Sequence, residues 1–335
     1  MANITFSEST GLNDSVFQPA QGPVRLFLEK RGEQYEQQSV LKNLFQMSSS
    51  NHYMEKLTGL TAMEGFKAVG ENGAYPIDGM EAGYVKTLEH MTWKDSFSLS
   101  REIVEDTKIL DLRRKPAGFI TAYYRTREKF GAAIYGGAMQ GLSSMTYSGR
   151  SFDLTGADGK PLFAADHPAK ITGETQCNVY SDAFSDDALG MLAVKMQNTR
   201  GDNGEILDVC PDTILIPNVH SLKKAVFAAI GSELDPDSAN NGFNYQYGGW
   251  TVIVWNYLNQ FIGSTNTEPW VLLDSRYNEE YGGAVWLDRA KLEVRSSVDE
   301  NTDANVWRGR ARFIAGFHDW RFAACAGISG AASLD

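Results

Sequence analysis

The stretch of residues 60–100 constrains the fold of this chain more than any other segment. Six glycines and Pro76 recur between residues 59 and 83. Strand-like runs flank these glycines at residues 65–69, 83–88 and 93–99. In the second run the side chains alternate between two faces, as they do in a strand. We therefore predict a two-stranded excursion, whose arms of about 20 residues would reach about 60 Å at roughly 3.3 Å per residue.

An excursion of this length does not fit inside the domain that carries it. A compact globule of 335 residues is only about 50 Å across, and an isolated two-stranded ribbon is marginally stable in water. Either the hairpin folds back onto its own core or another subunit supports it. The residues alone leave both alternatives open.

The composition narrows the possible partners. The chain carries a net charge of −11, and because phosphate binding depends on Lys and Arg, the chain as a whole should be repelled by nucleic acid. It has no apolar run of about 18 residues, so we predict no membrane contact. Its start lacks a basic region followed by an apolar core, which indicates no secretory signal and use in a cytoplasm.

The sequence offers little catalytic chemistry. Three cysteines and five histidines are scattered without the spacing of a metal site. The one catalytic-looking pair is Asp166-His167, within the turn-rich segment 158–168. We predict that His167 is a loop histidine that bonds locally. We therefore predict no catalytic residue, no metal and no cofactor, and keep a hydrolase using His167 with Asp166 as the third alternative.

The remaining pattern mixes helices and strands. Residues 1–23 are polar and predict an irregular arm. Apolar periodicity predicts helices at 24–47, 52–58, 101–110, from Pro116 to Gly136-Gly137, at 185–199 and at 221–230. Short apolar runs predict strands at 213–216, 251–255, 270–273 and 321–326. The strand and helix series indicates a mixed α/β unit over residues 183–285.

A ladder of arginines marks one strand near the end of the chain. Trp307, Gly309, Ala311 and Phe313 fall on one face, and three arginines fall on the other: Arg308, Arg310 and Arg312. The arginines either cover a solvent-facing strand or contact an acidic neighbouring surface or DNA.

Four segments, in order, resemble those of major head proteins of tailed bacteriophages. They are Ser98–Asp106, Leu162–Pro168, the pair Asn203–Leu207 and Pro211–Pro217, and Pro269–Asp274. Within that family the chain is similar to the Mu-like major head subunits. The resemblance implies an α+β, Hong Kong 97-like capsid fold with a peripheral domain built on a long spine helix and a β-sheet, an axial α/β domain, an extended β-hairpin loop and an N-terminal arm.

The resemblance also implies domain bounds. The N-terminal arm and helix would cover residues 1–59, and the extended loop 60–100. The peripheral domain would cover 101–182 and 286–335, and the axial domain 183–285.

The resemblance further implies a major capsid protein that self-assembles through hexamers and pentamers into an icosahedral head around double-stranded DNA. Expected partners are a scaffolding protein, a portal and non-specifically held DNA. The expected location is the virion, with the host cytoplasm during assembly. An encapsulin-like compartment is the alternative. Seven residues are candidate inter-subunit contacts: Tyr84, Lys86, Trp93, Lys94, Arg308, Arg310 and Arg312.

Overall fold

The structure is a computed structural model and has a mixed helix and strand architecture. It describes residues 4–8, 18–60, 66–71, 74–75, 77, 82–106, 109–233, 243–264, 268–299 and 301–334. The helices are α1 (Gln18–Gln38), α2 (Leu41–Leu44), α3 (Arg101–Glu105), α4 (Ile109–Met139), α5 (Asp186–Gln197), α6 (His220–Ile230) and α7 (Ser275–Tyr281), with a 3-10 helix at Asn256–Gln260.

The strands, in chain order, are β1 (Thr5–Glu8), β2 (Gln46–Ser49), β3 (Met54–Leu60), β4 (Ala82–Glu89), β5 (Met91–Leu99), β6 (Ser144–Tyr147), β7 (Arg150–Asp153), β8 (His167–Pro168), β9 (Thr175–Gln176), β10 (Thr213–Pro217), β11 (Thr251–Trp255), β12 (Trp270–Leu273), β13 (Ala284–Asp299), β14 (Ala304–Phe317) and β15 (Ala323–Ala326). The pairs β3–β4, β6–β7 and β8–β9 each form a two-stranded sheet.

The larger sheet has the order β1-β13-β14-β5, and β2 also pairs with β13. Helices α1 and α4 cover one face of it, because Leu28, Ile120 and Trp307 are buried in one cluster between them. Helix α4 has 31 residues and is about 46 Å long at 1.5 Å per residue. The opposite face of the sheet carries the arginine ladder.

The smaller sheet has the order β11-β10-β12-β15. Its central strands β10 and β12 are buried along their whole length, as expected for short apolar runs covered on both faces. The second half of α4 enters the same core as this sheet, where Tyr135 lies with its ring 6.3 Å from that of Trp255. Side chains from both sheets and from the helices packed on them thus form one large hydrophobic cluster.

The structure corrects the predicted excursion. Residues 66–70 form no strand, and β5 pairs with β14 of the larger sheet instead of lining the hairpin. The hairpin is β3 with β4, so its arms of seven and eight residues span only about 25 Å. Pairing with segments distant in sequence therefore decides which strands form the hairpin. The same pairing places residues 54–60 in a strand, where the sequence predicts a helix at 52–58.

The ends of α4 differ from the predicted ends because of contacts with distant parts of the chain. Helix α4 begins at Ile109, seven residues before Pro116, and Pro116 is buried within it. A proline inside a helix removes one backbone hydrogen bond, and the packing of a long helix outweighs that loss. Gly136 and Gly137 do not end the helix, which continues to Met139. They allow close packing instead, since side chains there would overlap Phe261 and Leu154.

Three other bounds also moved. The arm predicted as irregular contributes a strand, since Thr5–Glu8 pairs with β13 in parallel, while residues 1–3 and 9–17 lie outside the described residues. The first helix is split into α1 and α2, and β15 begins two residues after Arg321. The arginine ladder is confirmed: the side chains of β14 alternate between buried and accessible from Trp307 to Phe313.

Gly309 provides a test of the contact between the larger sheet and α4. A methyl group there would overlap the Phe119 ring and lie 3.2 Å from the nearest Leu292 methyl carbon. We expect Gly309→Ala to lower the free energy of unfolding by about 1–3 kcal/mol, since overpacking forces neighbours off their rotamers, as measured by urea unfolding.

The matched control is Gly118→Ala, on an accessible part of α4 where nothing lies within 4 Å of the new methyl group. It should raise the free energy of unfolding by about 0.5–1 kcal/mol, because alanine is the better helix former. Equal stability of the two variants would contradict the close packing at Gly309.

Candidate functional site

His167 lies in a closed, fully bonded position. Its side chain is 0% exposed, its Nδ1 lies 2.6 Å from Oδ2 of Asp158, and its Nε2 lies 3.1 Å from Oδ1 of Asn178. The ring stacks on Trp320 with centroids 4.3 Å apart. Both ring nitrogens are bonded locally, as predicted, but His167 begins the short strand β8 and is not a loop residue.

The acid that pairs with His167 is not its sequence neighbour. The carboxylate of Asp166 faces outward and binds Lys160, while Asp158, nine residues upstream, holds the ring. Asn178 fixes the other side, because its Nδ2 donates to the carbonyl oxygens of Leu162 and Ala323 at 2.8 and 3.1 Å. The cluster fastens the segment 158–168 to β15 and has a structural role.

The part of the β3–β4 hairpin next to its loop contacts residues on either side of that segment. Lys86 of β4 is buried, with its Nζ 2.5 Å from Oδ2 of Asp153 and 2.8 Å from Oγ1 of Thr155. Lys170 donates to the carbonyl oxygen of Gly83 at 3.0 Å, and its ammonium lies 5.7 Å from the centre of the Tyr84 ring. The loop end of the hairpin is therefore held by charged contacts inside its own chain.

A second buried ion cluster lies beside the loop end of the hairpin. Arg321 binds Asp202 at 3.0 Å and Asp319 at 3.2 Å, and the Tyr277 hydroxyl donates to Asp319 at 3.1 Å. Burial raises the pKa of Asp319, but Arg321 and these hydrogen bonds outweigh it and hold the pKa below its ordinary value. The cluster and His318 line a small cleft with Tyr84.

Two buried histidines make stability depend on pH. Burial lowers the pKa of His318 below its ordinary 6.5; Asp319 opposes this and Lys86 adds to it. Burial also lowers the pKa of His90. The unfolded chain therefore binds more protons near pH 6, and we expect the free energy of unfolding to fall as the pH drops from 7.5 through 6.5 towards 5.

Urea unfolding across that pH range checks this expectation. His90→Gln combined with His318→Gln should flatten the pH dependence, whereas His52→Gln, at an exposed histidine, should leave it unchanged. The comparison with wild type is needed because burial raises the pKa of Glu128. That shift increases the free energy of unfolding as the pH falls, which opposes the effect of the histidines. Parallel curves for the double variant and wild type would refute the assignment.

The loop between β3 and β4 exposes large apolar side chains. Phe66, Tyr75 and Ile77 are essentially fully exposed. Burial of each against a partner would contribute about 1.5–3 kcal/mol, so these side chains are candidate contacts for another protein surface.

The predicted contact residues fall into two groups. Lys86 and Trp93 are used within the chain: the Trp93 ring stacks on Phe313 with centroids 5.0 Å apart, and its indole N–H donates to the Phe313 carbonyl at 3.4 Å. Tyr84 is half-buried near the loop end of the hairpin. The remaining predicted residues lie on the outer face of the larger sheet: Lys94, Arg308, Arg310 and Arg312.

No metal centre or membrane helix is found in the described part of the chain. Those residues contain no group of three or more His, Cys, Asp or Glu placed to hold a metal ion, and Cys177, Cys210 and Cys325 are free thiols. None of the described helices is long and apolar enough to cross a bilayer.

Comparison with known proteins gives similarity at the level of structure. No family model matches the sequence, and no curated protein does. A chain in the solved structure of Mycobacterium phage Patience superposes with a TM-score of 0.51 and 11% identity, covering 100% of this chain and 95% of that one. At this identity the comparison shows the fold, which is α+β.

Two other solved structures give lower TM-scores. A chain in the capsid of the empty GTA particle scores 0.47 at 12% identity, covering 85% of this chain and 88% of that one. A chain in the capsid of bacteriophage JBD30, decorated with minor capsid protein trimers, scores 0.44 at 13% identity, covering 66% of this chain and 91% of that one.

Proposed function

We propose that this chain is a major capsid protein that self-assembles into an icosahedral phage head enclosing double-stranded DNA. The observation that carries the proposal is the fold shared over the whole chain with a chain of Mycobacterium phage Patience. The four sequence segments that resemble phage major head proteins, in the same order, support it independently. The buried position of His167 removes the main argument for a hydrolase.

We assign the Hong Kong 97-like domains within this proposal. The peripheral domain, expected over residues 101–182 and 286–335, would be built on α4 and the larger sheet, to which β1, β2 and β5 are added from earlier in the chain. The axial domain, expected over residues 183–285, would be built on α5, α6 and the smaller sheet, to which β15 is added from the end of the chain. The extended loop would be the β3–β4 hairpin with its loop, so it begins at Met54 within the range 1–59 expected for the N-terminal arm and helix. The Mu-like subtype, hexamers and pentamers, a scaffolding protein, a portal and a virion location belong to the same proposal.

The exposed loop gives a physical reason for self-association. Phe66, Tyr75 and Ile77 cannot remain in water without cost, and contacts repeated around a closed shell add cooperativity to individually modest interfaces. A standard interface of about 1,600 Å² per contact would be sufficient for such a shell.

Negative-stain microscopy of the purified chain, with sedimentation velocity on the same sample, tests the proposal. We expect closed shells, tubes or capsomer rings. A single species of 37.0 kDa that persists at high concentration and with a crowding polymer would contradict it. Particles that enclose one cellular enzyme instead of nucleic acid would favour the encapsulin-like alternative on the same fold.

A further inference from the structure

A cavity of about 230 Å³ lies between α4 and the larger sheet. Four residues that share one face of α4 line its helix side: Phe119, Ala122, Tyr123 and Thr126. Residues of β5, β13 and β14 line its sheet side: Trp93, Leu292, Gly309, Ala311 and Phe313. Because protein interiors are close-packed and contain few voids larger than a water molecule, a space of this size is unusual between a helix and its sheet.

Small side chains keep this cavity open. The helix and the sheet touch at Gly309, where a methyl group would already overlap the ring of Phe119. Further along both elements, the walls carry only the methyl groups of Ala122 and Ala311. An engineered cavity of about 150 Å³ accepts benzene, so the larger cavity under α4 has room for a six-membered ring with a short chain.

The walls of the cavity suit an aromatic ring. Trp93 is stacked between Phe313 and Phe152, with ring centroids 5.0 and 6.3 Å apart and nearly parallel planes. Since both faces of the indole are covered, the part that it offers to the cavity is its edge. The edge of an aromatic ring is positive and packs well against the face of another ring, so the cavity favours an aromatic ligand over an aliphatic one.

A carboxylate stands at the mouth of the cavity. Asp95 is exposed and pairs with Gly309 across β5 and β14, which places it on the same face of the sheet as Trp93. Its Oδ1 accepts the backbone N–H of Ser96 at 2.8 Å. Among the residues that the structure describes, none donates a hydrogen bond to Oδ2. This oxygen is available to a ligand that carries a donor.

The charge around that oxygen favours a cationic donor. Lys94 also borders the cavity, but strand alternation turns its side chain to the opposite face of the sheet. There it lines a separate cleft with three arginines: Arg295, Arg308 and Arg310. The mouth of the cavity therefore carries the negative charge of Asp95.

We propose that the cavity under α4 binds a small arylalkylamine, with its ring between the helix and the sheet and its ammonium group against Asp95. The site is built by one chain, so the proposal goes beyond shell assembly and does not depend on it. A ligand that binds only the folded state raises the free energy of unfolding. Occupancy of this site would thus stabilise the contact between α4 and the larger sheet.

Titration calorimetry with three probes of similar size tests the proposal. Phenethylamine, 2-phenylethanol and phenylacetate each carry a phenyl ring on a short chain and differ in charge. We expect phenethylamine to bind with a Kd of about 1 mM or lower and the alcohol to bind about three- to fivefold more weakly. Phenylacetate should bind more weakly still, because Asp95 repels it.

Two kinds of variant locate the binding. Asp95→Asn, at an exposed residue, should reduce the affinity for phenethylamine to that for the alcohol. Ala311→Leu fills the cavity from the sheet and should weaken all three probes at least about tenfold. Ala122→Leu fills it from the helix and provides the same test if Ala311→Leu does not fold, as judged by its thermal melting.

The matched control is Glu102→Gln, which removes an exposed carboxylate of α3 that does not line the cavity and should bind like wild type. No saturable binding of phenethylamine, equal affinity for the three probes, or unchanged affinity in the filled variants would overturn the proposal. Binding to the unassembled chain but not to assembled particles would assign the cavity to a segment of a neighbouring copy, and would overturn the assignment to a small molecule.

Discussion

Replacing residues 61–81 by Asn-Gly is expected to abolish shell assembly while leaving the chain folded. Leu60 pairs with Ala82 across the hairpin, so a two-residue turn of this type closes β3 and β4 without changing their register. The deletion spares Lys86, which binds the hairpin to Asp153 of its own chain, and Trp93, which stacks on Phe313 in the core. The variant should melt as wild type does and sediment as small species, since it lacks the segment proposed to reach a neighbour.

A second variant tests whether assembly requires the apolar side chains of the loop or only its length. Phe66→Ser, Tyr75→Ser and Ile77→Ser together keep all 21 residues but remove the exposed apolar surface. We expect strongly weakened assembly in microscopy and sedimentation. Shells of normal size and number from the Asn-Gly variant would refute a role for the loop between subunits.

Arg127→Met is expected to destabilise the chain by about 3–5 kcal/mol, because it leaves the Asp288 carboxylate buried without a counter-charge. The two side chains form a bidentate pair, with Nη1 at 2.8 Å and Nη2 at 3.0 Å from the carboxylate oxygens. Both are nearly buried, and the guanidinium lies 4.8 Å from the centre of the Trp286 ring. Urea unfolding of the unassembled chain measures the loss.

The matched variant removes both charges. Arg127→Met with Asp288→Leu should recover most of the stability, since a buried ion pair replaced by apolar groups of similar size is often neutral. Recovery would show that the single substitution acts through the unpaired carboxylate. A double variant as unstable as the single one would instead indicate that the contact of Arg127 with Trp286 dominates.

The local signals of the smaller sheet were sufficient to predict its elements. The runs at 213–216, 251–255 and 270–273 form β10, β11 and β12. Ser185 caps α5, with its hydroxyl accepting the Ala188 N–H at 3.0 Å. In these segments the apolar period, the turn residues and the cap all favour the secondary structure that is observed, and the tertiary contacts agree with these local preferences.

The residues around the hairpin were predicted less well. The strand-like runs at 83–88 and 93–99 correctly indicated strands, but they could not show that 91–99 pairs with β14, more than 200 residues further along the chain. The glycines suggested a long ribbon, whereas Gly83 allows close strand contact with Gly59. A pattern within one segment carries no information about which distant segment completes its hydrogen bonds.

The partners of the candidate site residues were likewise not predictable from the neighbouring sequence. Asp166-His167 stands out because the two residues are adjacent, yet the partners of His167 come from Asp158, Asn178 and Trp320. Of the contact residues predicted from the sequence, Lys86 and Trp93 were absorbed into the chain's own packing, and Lys94 and the arginines remain accessible. Arg295 was missed because its alignment with Arg308 depends on the strand register.

The sequence by itself determined the α+β class, the strands of the smaller sheet, the helices that follow a clear apolar period and the two-faced strand that carries the arginines. These properties depend on the side-chain spacing within a few residues. The tertiary structure decided the length of the hairpin, the start of α4, the partners of each buried charge and the alignment of Arg295 with Arg308 across β13 and β14. Such features require contacts between residues far apart in the chain, and their free energy is set only when the fold brings those residues together.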